Sequence, residues 1–138
     1  MVVYFETSAL LAWLLGEPSA AEVKSRIDGA ETVVTSSLTL LEAERVLIRA
    51  EIRNIINSGE CEKLRGLLAR SKAGWIVMEI SEDVRTRASR AFPLEPVRTL
   101  DAIHIATALI FMRVFPNLEL LSYDQRILEN AGALGIGS

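Results

Sequence analysis

The chain has 138 residues, half of them hydrophobic, and a formal net charge of −3. That length suits one domain spanning residues 1–138, because domains most often run to about 100–150 residues. The mild acidity excludes broad nucleic-acid binding through a basic surface. The single Cys61 excludes an internal disulfide, and no apolar run approaches the ~20 residues that span a bilayer.

The opening Met-Val-Val-Tyr-Phe-Glu has no basic start and no small-residue cleavage site, so a cytoplasmic protein is expected. Val2–Phe5 is a short β-rich run, followed by a helical stretch that Gly16-Glu17-Pro18 ends. Ser19–Asp28 reads as a second helix stopped by Gly29, and the β-branched Thr32–Thr35 as a second strand. Leu38–Asn57 is a long amphipathic helix. On a wheel of about 3.6 residues per turn, Leu41, Ile48, Ile52 and Ile55 form its apolar stripe, bordered by Glu42. Asn57-Ser58-Gly59 breaks it from a further helix, Glu60–Lys72. Trp75–Ile80 is strand three, and Ser81–Ala91 a helix capped by Ser81. Pro93 and Pro96 bracket a loop. Asp101–Phe115, apolar all round, predicts a buried helix. Leu118–Ser122 is strand four and Gln125–Leu134 the last helix. Short apolar strands separated by helices imply an α/β fold: a three-layer α/β/α sandwich around a parallel sheet of about four to five strands.

In such sheets ligands bind outside the C-terminal strand ends. Glu6 directly follows strand one, and Asp124 lies two residues past strand four. Asp101, near the start of the buried helix with Thr99 as a candidate N-cap, and Glu42 complete a set of four carboxylates. Each has an ordinary alternative: a strand-end residue for Glu6, helix capping or dipole placement for Asp101 and Asp124, and a surface pair with Arg45 or Arg49 for Glu42. Together they have the chemistry of a hard-cation site, since Mg²⁺ takes one or two carboxylates plus water and substrate phosphate. Two carboxylates ~4 Å apart repel by ~4 kcal/mol at an effective dielectric of ~20. Clustered acids are therefore expected to show raised pKa values without a cation.

The segments around these acids resemble the PIN-domain ribonucleases, and specifically the VapC-like toxins of type II toxin–antitoxin pairs. Val3-Tyr4-Phe5-Glu6-Thr7-Ser8-Ala9-Leu10 is similar to the family's first motif, and Ser36 to Glu44 to the second, with its acid at Glu42. Arg98-Thr99-Leu100-Asp101-Ala102-Ile103-His104-Ile105-Ala106-Thr107-Ala108 is the most specific match. Leu121-Ser122-Tyr123-Asp124-Gln125-Arg126-Ile127 resembles the fourth. The motifs stand in family order over nearly the whole chain. The resemblance implies a PIN-like sandwich whose acids Glu6, Glu42, Asp101 and Asp124 hold Mg²⁺ or Mn²⁺ and cut RNA by a metal-activated water. It also implies an antitoxin partner laid over an apolar groove, and a homodimer. Position 6 departs from the pattern: the family has Asp there, and Glu adds roughly 1.5 Å of reach. That departure keeps a second reading open, a catalytically weak PIN-fold module that binds RNA or protein.

Thr7 or Ser8, and Ser122, either orient a ligand or water at the site or cap helices. His104 is read as a hydrogen-bonded structural residue in preference to a metal ligand. Arg45, Arg49 and Arg53 on the long helix, and Arg98 beside Asp101, either guide an RNA backbone or are solvated. A phosphotransfer domain is disfavoured: it needs an Asp after strand one and a Lys near the phosphate, and Lys24, Lys63 and Lys72 miss the late strand ends.

Overall fold

The computed structural model describes residues 1–138. Four strands, β1 (Val2–Phe5), β2 (Thr32–Ser36), β3 (Ile76–Met78) and β4 (Glu119–Leu121), form one sheet in the order β3-β2-β1-β4. All three pairings are parallel, with Val3 opposite both Val33 and Glu119, and Tyr4 opposite both Val34 and Leu120. Seven helices connect them: α1 (Thr7–Leu14), α2 (Ala20–Asp28), α3 (Ser37–Ile52), α4 (Ser58–Lys72), α5 (Glu82–Ala88), α6 (Thr99–Met112) and α7 (Gln125–Ala133).

Strand side chains alternate between faces, and here both faces are buried. Val3, Phe5, Val33 and Leu121 pack with Ala9, Leu10, Val23, Ala43 and Leu68 from α1 to α4. Tyr4, Val34 and Leu120 point the other way, into a core with Ala102, Ile105, Phe111, Ile127 and Ala131 from α6 and α7. Two cores separated by one sheet make the expected three layers. The central strands β1 and β2 are apolar on both sides because each side carries helices. Phe111 lies in the second core, while Trp75 meets Phe5 edge-on at 5.3 Å in the first. Cys61 is buried as well, its thiol 3.8 Å from the Leu47 carbonyl between α4 and α3. It is a small packing residue on an otherwise polar helix.

Several boundaries differ from the sequence expectation. The segment Asn57-Ser58-Gly59 opens α4 as well as breaking the chain: Asn57 accepts from Glu60 N at 2.8 Å, and the Glu60 side chain returns to Asn57 N at 3.3 Å. This capping box satisfies two otherwise unpaired amides. α3 ends at Ile52, and its buried positions are Leu38, Thr39, Ala43, Leu47 and Ala50. Of the expected stripe, Leu41 and Ile52 on α3 and Ile55 past its end therefore face outward, at 60%, 75% and 71% exposure, while Ile48 is half-buried. β3 is shortened to three residues as the edge strand beside β2. No helix is long and apolar enough to cross a membrane.

Candidate active site

The C-terminal ends of β1, β2 and β4 are held by side-chain and backbone hydrogen bonds. Thr35 donates to the Phe5 carbonyl at 2.6 Å, Ser36 caps α3 by accepting from Leu38 N at 3.0 Å, and Glu6 N donates to the Leu121 carbonyl at 3.1 Å. Above these ends lies a cavity of about 830 Å³ whose lining includes Glu6, Glu42, Asp101 and Asp124. The four acids, distant in sequence, come from the β1–α1 junction, α3, α6 and the β4–α7 junction.

Each acid is anchored in its own way. Glu6 is the N-cap of α1, its Oε2 accepting from Ser8 N at 3.1 Å. Its Oε1 accepts from the hydroxyls of Ser8 and Ser122, both at 2.5 Å. Those hydroxyls are in turn acceptors, Ser8 from Tyr123 N at 2.8 Å and Ser122 from Asp124 N at 3.0 Å. Asp124 caps α7 through Oδ1, which accepts from Arg126 N at 3.0 Å and Ile127 N at 3.3 Å. Asp101 sits in the first turn of α6 and pairs with Arg98 Nε at 3.3 Å. The N-cap of α6 is Arg98, not Thr99, and it makes no side-chain capping bond.

Glu42 is held across the layers. Its Oε1 accepts from Thr7 Oγ1 at 2.6 Å and lies 2.6 Å from His104 Nε2. No arginine pairs with it: Arg45, Arg49 and Arg98 line the cavity, but only Arg98 makes an ion pair. Arg53, exposed past the end of α3, lies away from the cavity. Thr7, Ser8 and Ser122 thus bind the carboxylates, and none of the three caps a helix. The expectation of raised carboxylate pKa values is reversed at Glu42. Burial, the largest single influence, pushes its pKa up, but hydrogen bonds from His104 and Thr7 hold it below the ordinary range. Sequence reasoning missed Tyr4, fully buried with its hydroxyl 3.0 Å from His104 Nδ1. The available signal was a phenol in the otherwise apolar β1.

No three of the His, Cys, Asp and Glu side chains converge closely enough, as they stand, to ligate one ion together. Four hard oxygen donors on one cavity nevertheless suit Mg²⁺ or Mn²⁺ held by one or two carboxylates and otherwise by water. Against these four acids stand three arginines, so the cavity carries an excess negative charge that a cation offsets.

A parallel α/β sandwich with an acidic cavity at the strand ends defines the class. The PIN domain family matches residues 3–133, and the chain belongs to that family. It is 33% identical over 137 residues to a Mycobacterium tuberculosis protein named Ribonuclease VapC35, covering 98% of this chain and 93% of the relative. The crystal structure of M. tuberculosis VapC20, described as a sarcin-ricin loop cleaving toxin, has a TM-score of 0.65 at 16% identity and covers 97% of this chain and 95% of that one. A toxin–antitoxin complex from Klebsiella pneumoniae contains a chain with a TM-score of 0.66 at 20% identity, covering 99% and 96%. These two share the fold.

Proposed function

We propose that this chain is a divalent-metal-dependent ribonuclease, the toxin of a toxin–antitoxin pair, in one PIN domain over residues 1–138. The observation that carries the reading is the meeting of four acids from separate segments in one cavity beside two unpaired arginines. Family membership and relatives named ribonucleases support it.

Glu6, Glu42, Asp101 and Asp124 are the residues that would hold Mg²⁺ or Mn²⁺. When bound, the ion supplies Lewis-acid polarisation of a phosphodiester and lowers the pKa of a water to near neutrality. The residues do the rest. Arg45 and Arg49, exposed and free of acidic partners, hold the RNA backbone by bidentate contacts. Arg98, 68% exposed at its side chain, reaches both Asp101 and the cavity. Thr7, Ser8 and Ser122 orient the carboxylates by the bonds described above. RNA cleavage that requires Mg²⁺ or Mn²⁺ and disappears in Asp101→Asn tests the proposal. A folded protein that cuts no RNA with either metal would defeat it.

A second reading has a specific observation behind it. Both oxygens of Glu6 are committed to Ser8 and Ser122, which leaves that acid poorly placed to ligate and favours a weak binding module. Salt-sensitive RNA binding without turnover would select it.

The antitoxin partner would lie along the outward apolar side of α3. Leu41 and Ile52 on α3, with Ile55 just past its end, leave large apolar side chains exposed, and Leu41 also lines the cavity. An amphipathic helix laid there would reach the acids. A homodimer in the cytoplasm completes the reading.

A further inference from the structure

Glu42 is long, carried by a surface helix, and 25% exposed at its side chain, yet one of its oxygens is tied by two short contacts. The group that ties it is not on the surface. His104 is 2% exposed and presents Nε2 to Glu42 Oε1 at 2.6 Å, with Thr7 Oγ1 3.2 Å from the same nitrogen. Its other nitrogen lies 3.0 Å from the hydroxyl of Tyr4, which is 0% exposed. Tyr4 meets the imidazole edge-on at 6.2 Å and Phe111 at 6.3 Å.

The protons follow from the donor inventory. A carboxylate oxygen only accepts, so Nε2 at this distance carries the hydrogen. A neutral imidazole then has its acceptor at Nδ1, which requires the Tyr4 hydroxyl to donate. The Tyr4 hydroxyl, shut off from solvent, has a hydrogen to give, and Nδ1 at 3.0 Å is placed to accept it. The direction is fixed: Tyr4 to His104, His104 to Glu42. Phe at position 4 would fill the same space, so the hydroxyl is used for bonding and not for packing.

We infer that Tyr4 and His104 form a buried hydrogen-bonded relay that ties off Oε1 of Glu42 and leaves Oε2 to the cavity, which makes both of them positioning residues. For catalysis this rests on the nuclease reading above. Without the relay, Glu42 keeps only Thr7 and can swing toward Arg45 or Arg49 on its own helix face.

The test has a spectroscopic and a kinetic arm. His104 is the chain's single histidine, so one imidazole signal appears in nitrogen-15 multiple-bond NMR of the metal-free full chain. The expected spectrum shows Nε2 protonated and Nδ1 as acceptor, with Tyr4→Phe giving mixed tautomers. A proton on Nδ1, or on both nitrogens, overturns the relay. In RNA cleavage with Mn²⁺, His104→Ala is expected to lower kcat about ten- to a hundredfold with little change in KM, the usual range for residues that orient ligands. His104→Gln, whose amide still donates toward Glu42, should recover much of that loss. A merely structural histidine would lower the melting temperature and leave kcat alone, or lose activity equally as Ala and Gln, and either result overturns the inference. Tyr4→Phe, one oxygen smaller, carries the kinetic arm if His104→Ala does not fold. An inactive wild type defeats the nuclease reading alone, and the spectrum still decides the relay.

Discussion

Glu6→Asp separates the two readings of the site, and its effects on stability and activity are expected to run in opposite directions. Glu6 spans from the cap of α1 to Ser122 at the end of β4. Shortening it by one bond draws the carboxylate back by roughly 1.5 Å. The 2.5 Å bond to Ser122 would open to about 4 Å, outside hydrogen-bonding range. A bond to a charged group contributes about 1.5–3 kcal/mol; Asp, among the favoured N-cap residues, keeps the bond to Ser8 N and offsets part of this. A net loss of about 1–2 kcal/mol lowers the melting temperature by about 3–8 °C for a chain of this size. The freed oxygen turns to the cavity. Because a misplacement of about 1 Å costs up to a hundredfold in rate, turnover should rise about ten- to a hundredfold. The assay is cleavage of one fluorogenic RNA with Mn²⁺, well below both melting temperatures. Equal or lower turnover in the Asp variant refutes the reasoning.

The other expectations concern the ion, the RNA and acid stability. Millimolar Mn²⁺ should raise the melting temperature of the wild type, by about 2.7 kcal/mol of added stability when the ion is at a hundred times its Kd, and should do little for Asp101→Asn. A scan indifferent to Mn²⁺ in both proteins would count against the site. Arg49→Glu should weaken RNA binding and lower the slope of log K against log salt by about 1; an unchanged slope would place Arg49 away from the backbone path. Because the Glu42 pKa in the folded chain lies below its ordinary 4.5, its ionisation stabilises the fold above that pH, and this contribution is lost as pH falls through the lowered value. Thr7→Val removes one of the bonds that lower it. In metal-free urea titrations the acid loss should then be smaller than in the wild type and complete at a higher pH, and identical profiles would contradict the assignment.

The layer order was legible because β1, β2 and β4 are short apolar runs between helices, and in a parallel sheet both strand faces must be covered. The extent of elements was less so. β3 is an edge strand with one neighbour, and its run of apolar residues exceeds the bonding that the neighbour offers. The stripe on α3 carries the period of a buried face, yet the buried face is Ala43, Leu47 and Ala50. Periodicity shows that a helix side is apolar without showing what covers it. At the site, Glu6 and Asp124 were legible from position, since they follow strand ends. The partners of Glu42 were not, because His104 lies 62 residues from it and 100 from Tyr4, and no local pattern encodes such a contact.

The positions of the acids also explain how the fold tolerates them. Clustered carboxylates were expected to be comfortable only with an ion, but three of the four stand at helix N-termini: Glu6 caps α1, Asp124 caps α7 and Asp101 lies in the first turn of α6. Unpaired amides and the positive end of the helix dipole favour negative charge there. The fourth, Glu42, lies inside α3, where no helix end is available, and it alone is bonded to a buried imidazole. The residue type at each position follows from that division. Glu6 and Asp124 draw on backbone donors left open where a strand passes into a helix, Asp101 lies in a first helical turn beside Arg98, and Glu42 is supplied with side-chain donors from α1 and α6. A metal-free protein can therefore fold around the cavity, and the ion's contribution is added to a site that already holds its acids apart.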